Sequence, residues 1–109
     1  MSVDLPHPID VYVQLENSGD VAALGDCFAS NAVVRDEGRS YEGLASIRQW
    51  KAETKRKYSH TVAPLAIAQR DGTTILTARL TGNFPGSPAT LQFSFVLKDG
   101  KIASLEIYA

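Results

Sequence analysis

The apolar residues follow a helical spacing in the first half of the chain and a strand spacing in the second half. Ile9, Tyr12 and Val13 stand at i, i+3 and i+4, the spacing of one helix face. The same spacing returns further along, and Asp20 is a residue type that caps helix N-termini well. The pattern predicts three helices, over residues 7–17, from Asp20 to near Ser30, and over residues 44–57.

Strand-like runs occupy most of the remaining chain. Ala32–Asp36 is short and contains β-branched residues, which predicts a strand with Asp36 at its end. After Tyr58 the apolar positions alternate with a period of two, and Asp-Gly or Pro-Gly pairs separate the runs at hairpin spacing. Four further strands are predicted, over residues 58–70, 73–84, 89–98 and 101–108.

Each long strand has one apolar face. In the run from residue 89, for example, Phe93 and Phe95 alternate with polar side chains. Three helices followed by an antiparallel meander with one apolar side predict an α+β domain whose helices cover that side. The opposite, outer face carries a mixed set: Ile75, Thr77, Val96 and Tyr108. We expect two copies of the chain to pair through this outer face, although scattered apolar residues are also normal on a monomer surface.

Length and composition place the chain in the ordinary globular class. Its 109 residues suffice for one domain, residues 1–109, and 44% hydrophobic with 21% charged residues is a usual balance. No apolar run approaches the roughly 20 residues that cross a bilayer, so no membrane segment is expected. A net charge of -1 provides no positive field for nucleic acid. The single Cys27 and the absence of a leader-like N-terminus predict a cytoplasmic protein.

Residue spacing offers little for a metal or a cofactor. His7 and His60 are far apart, and no predicted helix puts a histidine and a carboxylate at ligand spacing, so no metal site is expected. The glycines are isolated from one another, which disfavours a phosphate-binding loop, and we expect no cofactor. Cys27 lies on an apolar helix stripe and is interpreted as a small buried hydrophobic residue.

Asp36 is the most informative candidate for chemistry. It alternates in phase with Val34, so its carboxylate can point to the same side of the strand. Apolar surroundings raise the pKa of a carboxyl group and allow it to act as a general base. The alternative is a turn-flanking aspartate that caps the turn or pairs with Arg39. Tyr12 could likewise bury its ring and offer its hydroxyl to a ligand, or serve only as a core residue.

Other positions also have both a functional and a structural interpretation. Trp50 could stack on a ligand or anchor the packing of its helix. His60 could exchange a proton near neutral pH, or lie partly exposed at a strand end. The basic residues of the third helix suit its C-terminal dipole, and we expect them to be solvated: Lys51, Lys55, Arg56 and Lys57.

Three segments, Asn17–Leu24, Cys27–Asp36 and Ile47–Trp50, together with Gly43, resemble the nuclear transport factor 2-like superfamily. The resemblance is strongest to its SnoaL-like and ketosteroid isomerase-like branch and extends over nearly the whole chain. It implies a cone-shaped, cystatin-like α+β barrel in which three N-terminal helices wrap a curved mixed or antiparallel sheet. It says little about reaction, since the superfamily contains isomerases, cyclases, dehydratases, epoxide hydrolases and non-catalytic binders.

The resemblance also implies roles for individual residues. Asp36 stands where ketosteroid isomerase-like members keep the aspartate that moves a proton α to a carbonyl. Tyr12 stands where they keep the tyrosine of the oxyanion hole. The ligand would be an apolar small molecule, and the residues expected to contact it are Leu24, Phe28, Val34, Trp50, His60, Phe84, Phe93 and Phe95.

The chain departs from that family pattern at the oxyanion hole. The second acid of the hole would fall near Phe93, which cannot donate a hydrogen bond, and the tyrosines that support Tyr12 would fall near Phe28 and Lys51. Each lost donor costs about 3–4 kcal/mol of transition-state stabilisation, so steroid isomerase activity is not expected. Two hypotheses follow: a pocket protein in which Asp36 accepts a proton and Tyr12 donates a hydrogen bond, or a non-catalytic dimeric binding module of the same fold.

Overall fold

The computed structural model describes residues 4–109, which form two α-helices, one 3₁₀ turn and a six-stranded sheet. In chain order these are α1 (His7–Ser18), the 3₁₀ turn (Val21–Asp26), β1 (Phe28–Asp36), β2 (Arg39–Glu42), α2 (Gly43–Tyr58), β3 (Thr61–Arg70), β4 (Thr73–Thr81), β5 (Ala89–Lys98) and β6 (Lys101–Tyr108).

Both helices end in a residue with left-handed backbone geometry. The chain turns out of α1 at Gly19, which has φ 77° and donates its N–H to Leu15 O at 2.8 Å. It turns out of α2 at Ser59, whose N–H donates to Lys55 O at 2.8 Å. The α1 end is also tied to β3, because the Asn17 amide exchanges two hydrogen bonds with the Val62 backbone, at 2.7 and 3.0 Å.

The sheet has the strand order β2-β1-β6-β5-β4-β3. Neighbouring strands are antiparallel except β1 and β6, which are parallel, so the sheet is mixed. Register shifts interrupt the pairing of β1 with β6, β3 with β4, and β5 with β6. Such irregularities bend and twist strands. The sheet is accordingly curved and unclosed, and the α+β prediction is confirmed.

The predicted alternation of strand faces is confirmed. In β4, Leu76 and Ala78 are buried, and in β5 so are Phe93 and Phe95, while the intervening residues are more exposed. The predicted bounds of the last two strands match the structure. The buried faces of the strands and of the two helices form one continuous hydrophobic core.

Three local predictions were wrong. The second helix is only the six-residue 3₁₀ turn, because β1 already begins at Phe28 to pair with Ile102 of β6. The charged turn after Asp36 continues into the short strand β2, which the sequence pattern did not indicate. The strand predicted to reach Phe84 ends at Thr81, so Phe84 lies in the loop between β4 and β5.

Within residues 4–109, neither α1 nor α2 combines the length and the apolar content needed to cross a bilayer.

Gly82 allows the end of β4 to approach the start of β3 closely. A Cβ atom at this position would lie 2.7 Å from the Tyr58 carbonyl oxygen and 2.9 Å from His60 Cα. Because backbone atoms cannot yield without moving the strands, we predict that Gly82→Ala lowers the free energy of unfolding by about 2 kcal/mol or more.

Urea unfolding measures this effect, and Gly25→Ala is the matched control. The nearest atom to a Cβ at Gly25 is the flexible tip of Arg48, at 3.4 Å, so its change should stay within about 1 kcal/mol. Equal losses in the two variants would contradict the prediction.

Candidate functional site

A cavity of about 340 Å³ lies between α2 and the strands of the sheet. Its wall is mainly apolar and includes Leu80, Phe84, Leu91, Phe93 and Ile107. Glu37 and Pro85, which also line it, are exposed and mark the side that opens to solvent. A space of this kind is large enough to hold a small organic molecule.

Asp36 lines this cavity from the end of β1. Its neighbours in phase, Ala32 and Val34, are fully buried, so the carboxylate points to the inner side of the sheet. The Trp50 indole donates Nε1–H to Asp36 Oδ2 at 3.0 Å. Arg39 pairs with Asp36 through the β1–β2 backbone register only, and no ion pair joins them in the described part of the chain.

Burial raises the pKa of the Asp36 carboxyl group, and the hydrogen bond from Trp50 partly opposes the rise. Nearby Glu37 adds to the increase, because a second negative charge disfavours ionisation. Asp36 is therefore a carboxylate that holds a proton more readily than one in water, in a cavity with an apolar wall. That combination suits a group that accepts and returns a proton.

Three buried polar residues, Glu16, Lys51 and His60, form what we call the charge cluster. They come from α1, α2 and the residue just before β3, and all three line the cavity. Lys51 Nζ lies 2.7 Å from Glu16 Oε1 and 2.6 Å from Oε2. His60 Nε2 contacts Glu16 Oε1 from another side. Since a carboxylate only accepts hydrogen bonds, His60 Nε2 carries the proton in this contact.

The charge cluster keeps Glu16 ionised. Burial by itself raises the pKa of the Glu16 carboxyl group, but the Lys51 ammonium and the His60 ring outweigh that effect and lower it to about 2. For Lys51 the balance differs, since burial lowers the pKa of its amine and the Glu16 charge only partly restores it. The cavity thus contains a strongly acidic carboxyl group beside an amine that gives up its proton more readily than usual.

The Lys55 side chain holds the ends of the same three elements together. Its Nζ donates to Glu16 O at 2.8 Å and also to the His60 carbonyl oxygen. The backbones that carry Glu16 and His60 are therefore fixed relative to α2, independently of the side chains that enter the cavity.

The predicted site residues fall into two groups. Five of the predicted residues line the cavity: Asp36, Trp50, His60, Phe84 and Phe93. The other five lie in the hydrophobic core and do not line the cavity: Tyr12, Leu24, Phe28, Val34 and Phe95. Position in the wall does not by itself test a role in binding or catalysis, so those assignments stay predictions.

Tyr12 lies beneath the charge cluster. Its ring packs edge-on against Phe28 and Phe95, with centroids 5.8 and 5.6 Å away. Its hydroxyl is fully buried one helical turn from Glu16, and forms no hydrogen bond of standard geometry. Burial, followed by the Glu16 charge, raises the pKa of the Tyr12 phenol well above its ordinary value. The phenol therefore stays protonated, and its ring lies among core aromatic side chains with Lys51 Nζ 5.6 Å from its centroid.

One expectation about exposure was wrong, because Lys51 was expected at a solvated helix end and is 3% exposed. His60, for which partial exposure at a strand end was the structural alternative, is 4% exposed. Glu16 was not considered, although the helix spacing places it one turn after Tyr12 on the buried face of α1. That single charged residue on an apolar stripe was the available signal, because a buried charge needs a partner of opposite sign.

No cluster of three or more metal-ligand side chains occurs among residues 4–109.

The fold and the cavity together define a class: a cone-shaped α+β protein whose curved sheet encloses a pocket beside its helices. Within that class, the SnoaL-like domain model matches residues 9–105. The chain belongs to the SnoaL-like domain family, and the resemblance to the nuclear transport factor 2-like superfamily is confirmed.

Solved structures show how far the likeness extends. A candidate polyketide cyclase from Sinorhizobium meliloti is 39% identical over 95% of each chain, with a TM-score of 0.91. A protein from Catenulispora acidiphila with a ketosteroid isomerase-like fold, in complex with trimethylamine, has a TM-score of 0.84 at 19% identity, covering 97% of this chain and 87% of that one.

A third structure is the epoxide hydrolase/cyclase-like enzyme SalBIII, which acts in pyran ring formation in the polyether salinomycin. It has a TM-score of 0.73 at 20% identity, covering 94% of this chain and 87% of that one. Like the Catenulispora protein, it shows a shared fold. No curated protein matches the chain in sequence.

The charge cluster makes a prediction about stability. Lys51→Met leaves the Glu16 charge buried without its main partner, and we expect it to lower the free energy of unfolding by about 3–5 kcal/mol. The double variant Glu16→Gln with Lys51→Met removes both charges and should recover most of that loss. Chemical denaturation at neutral pH measures both.

Acid titration supplies the second readout. The pKa of Glu16 is lowered from 4.5 to about 2 in the folded chain, so its ionised form stabilises the fold above pH 4.5. This stabilisation, about 3 kcal/mol, should disappear as the pH falls from about 5 to 2. The wild-type chain should therefore lose more stability over that range than the double variant, and parallel acid profiles would contradict the prediction.

Proposed function

We propose that this chain binds an apolar, carbonyl-bearing small molecule in the cavity and moves a proton at the carbon α to the carbonyl. The observation that carries the proposal is the position of Asp36, a carboxylate that lines a cavity whose wall is mainly apolar and accepts a hydrogen bond from Trp50 there. The polyketide cyclase candidate at 39% identity supports a substrate of this kind, since polyketides are rich in ketone groups.

Asp36 takes the role of general base in this proposal. The hydrogen bond from Trp50 engages one carboxylate oxygen, Oδ2, and leaves Oδ1 to approach a C–H bond of the substrate. Removal of the proton creates negative charge on the carbonyl oxygen. Apolar walls exclude water from that charge, so a group of opposite sign is needed to stabilise it.

Lys51 supplies that charge. The family pattern leaves no donor at Phe93, but the Lys51 ammonium lines the same cavity and brings a positive charge into it. A buried cation near a developing enolate is worth more than one in water, because the surrounding dielectric is low. The proposal therefore depends on Asp36 and Lys51, and it does not need the Tyr12 hydroxyl to reach the substrate.

Hydrogen–deuterium exchange at the α carbon of a ketone tests the proposal. With benzylacetone as the probe in heavy water, proton NMR should show exchange accelerated by the wild-type chain. Asp36→Asn should slow the catalysed exchange by at least about 100-fold, the usual contribution of a general base. Asp20→Asn, an exposed site just after the end of α1 and outside the cavity lining, is the matched control and should leave the rate unchanged.

The pH profile of the exchange distinguishes a base from a purely structural aspartate. Only ionised Asp36 accepts a proton, so the rate should fall as the pH drops through a pKa above the ordinary aspartate value. Trp50→Phe removes a hydrogen bond that lowers this pKa and should move the fall to higher pH. Wild-type exchange that proceeds unchanged in Asp36→Asn contradicts the proposal.

A second candidate function is a non-catalytic dimeric module that binds through its outer sheet face. The supporting observation is that Val96 and Tyr108, on that face, are 39% and 42% exposed. In such a module the cavity would be a consequence of the curved sheet. The cytoplasmic location inferred from the sequence is compatible with both candidates and stays a prediction.

Sedimentation at micromolar concentration tests the outer face. We expect a dimer for the wild-type chain and a monomer for Val96→Lys, because a charge at the centre of an apolar contact is costly to bury. Lys57→Glu, an exposed change on α2, is the control for altered surface charge and should remain a dimer. A wild-type monomer would eliminate the dimeric module and leave the pocket proposal unaffected.

A further inference from the structure

Lys51 occupies an unusual position for a lysine. It is 3% exposed and contributes to the cavity wall, whereas the other lysines lie elsewhere among residues 4–109. Lys57 and Lys98 are exposed, and Lys55 and Lys101 donate to backbone carbonyl groups. Lysine is rarely buried unless it is paired, and here the paired lysine also faces a cavity. The position therefore calls for a chemical explanation as well as a structural one.

We propose that Lys51 is a nucleophile that forms an imine with the carbonyl group of an apolar ketone or aldehyde bound in the cavity. This inference rests on the proposed function, because it requires a carbonyl compound at that site. It goes further by assigning a covalent intermediate and the residue that holds it.

The surroundings of Lys51 suit this reaction. Its Nζ is held 2.6 and 2.7 Å from the two Glu16 oxygens, and it lies 3.9 Å from the centroid of the Trp50 ring. No other oxygen atom among the described residues forms a hydrogen bond with it, so one side of the nitrogen is left for a ligand. Burial also lowers the pKa of the amine, which increases the fraction present as a nucleophile.

Glu16 can handle the protons of the reaction without any added reactant. It first accepts one proton from the Lys51 ammonium along the existing hydrogen bond. The Lys51 charge is the largest of the effects that lower the Glu16 pKa, so the carboxyl group holds a proton more readily once the amine is neutral. The neutral amine then adds to the carbonyl carbon: a C–N bond forms, the C=O π bond breaks, and one N–H proton moves to the oxygen to give a carbinolamine. Glu16 returns its proton to the carbinolamine hydroxyl, the C–O bond breaks, and water leaves. The result is a protonated imine on Lys51, one water molecule and the original Glu16 carboxylate.

Asp36 then acts on a more acidic carbon. A protonated imine withdraws electrons more strongly than a ketone, so its α C–H bond gives up a proton more easily. Asp36 and Lys51 line the same cavity, so one can hold the carbon skeleton while the other removes the proton. An imine on Lys51 and a base at Asp36 together suit reactions that pass through an enamine, such as carbon–carbon bond formation or cleavage next to a carbonyl.

Trapping with the β-diketone benzoylacetone tests the inference. A lysine amine condenses with this probe to a stable enaminone, with loss of one water. We expect intact-mass spectrometry to show one adduct per chain, heavier by one benzoylacetone less one water, and peptide mapping to place it on Lys51. Mapping the wild-type chain needs no variant, so a folding defect cannot obscure the result.

Two variants sharpen the test. Lys51→Arg keeps a positive charge beside Glu16 and should abolish the adduct, with circular dichroism confirming that the chain is folded. Lys57→Arg, the matched change at an exposed lysine, should retain it.

The outcomes separate this inference from the proposed function. An adduct spread over the exposed lysines, or none at all, overturns the imine even where Asp36-dependent exchange of benzylacetone is observed. An adduct confined to Lys51 without any such exchange supports the imine and counts against Asp36 as the base. Failure of both measurements overturns both.

Discussion

The buried carboxylate of Glu16 is the constraint on which the rest of the site depends. An isolated charge in a protein interior is too costly to persist, so the fold must bring compensation to it. Lys51 comes from α2 and His60 from the start of β3, and together with Glu16 of α1 they join three elements far apart in the chain. The contacts that neutralise the Glu16 carboxylate thereby hold α1, α2 and the start of β3 in place around the cavity.

Two carboxyl groups in one cavity acquire opposite properties from their partners. Glu16 faces an ammonium and an imidazole and is held ionised, whereas Asp36 accepts a hydrogen bond from the Trp50 indole, and burial with the nearby Glu37 charge raises its pKa. Groups pushed apart in this way can take different roles in one reaction. A domain of this size can hold such a pair because its curved sheet makes core residues and cavity wall continuous.

Local physical rules were enough for much of the fold. The period-two alternation through β4 and β5 and the apolar spacing of α1 reflect neighbours a few residues away, and both were predicted correctly. The prediction of a second α-helix was wrong because the pairing of Phe28 with Ile102 starts a strand there and leaves only a six-residue 3₁₀ turn before it. The strand β2 was missed because its four residues are held in a strand by pairing with β1, and so short a segment shows no clear alternation of apolar and polar residues.

The sequence by itself determined the α+β class of the fold and the apolar faces of its strands, since both follow from local periodicity, but it left Asp36 with two interpretations. Only the tertiary structure decided that Lys51 and His60 are buried against Glu16 and that Tyr12 lies in the core beneath them. Lys51 and His60 stand 35 and 44 residues from Glu16 along the chain. The residues next to a charged side chain in the sequence do not show which distant residue will pair with it in the interior. The charge cluster therefore forms only when the folded sheet and helices bring the three residues together.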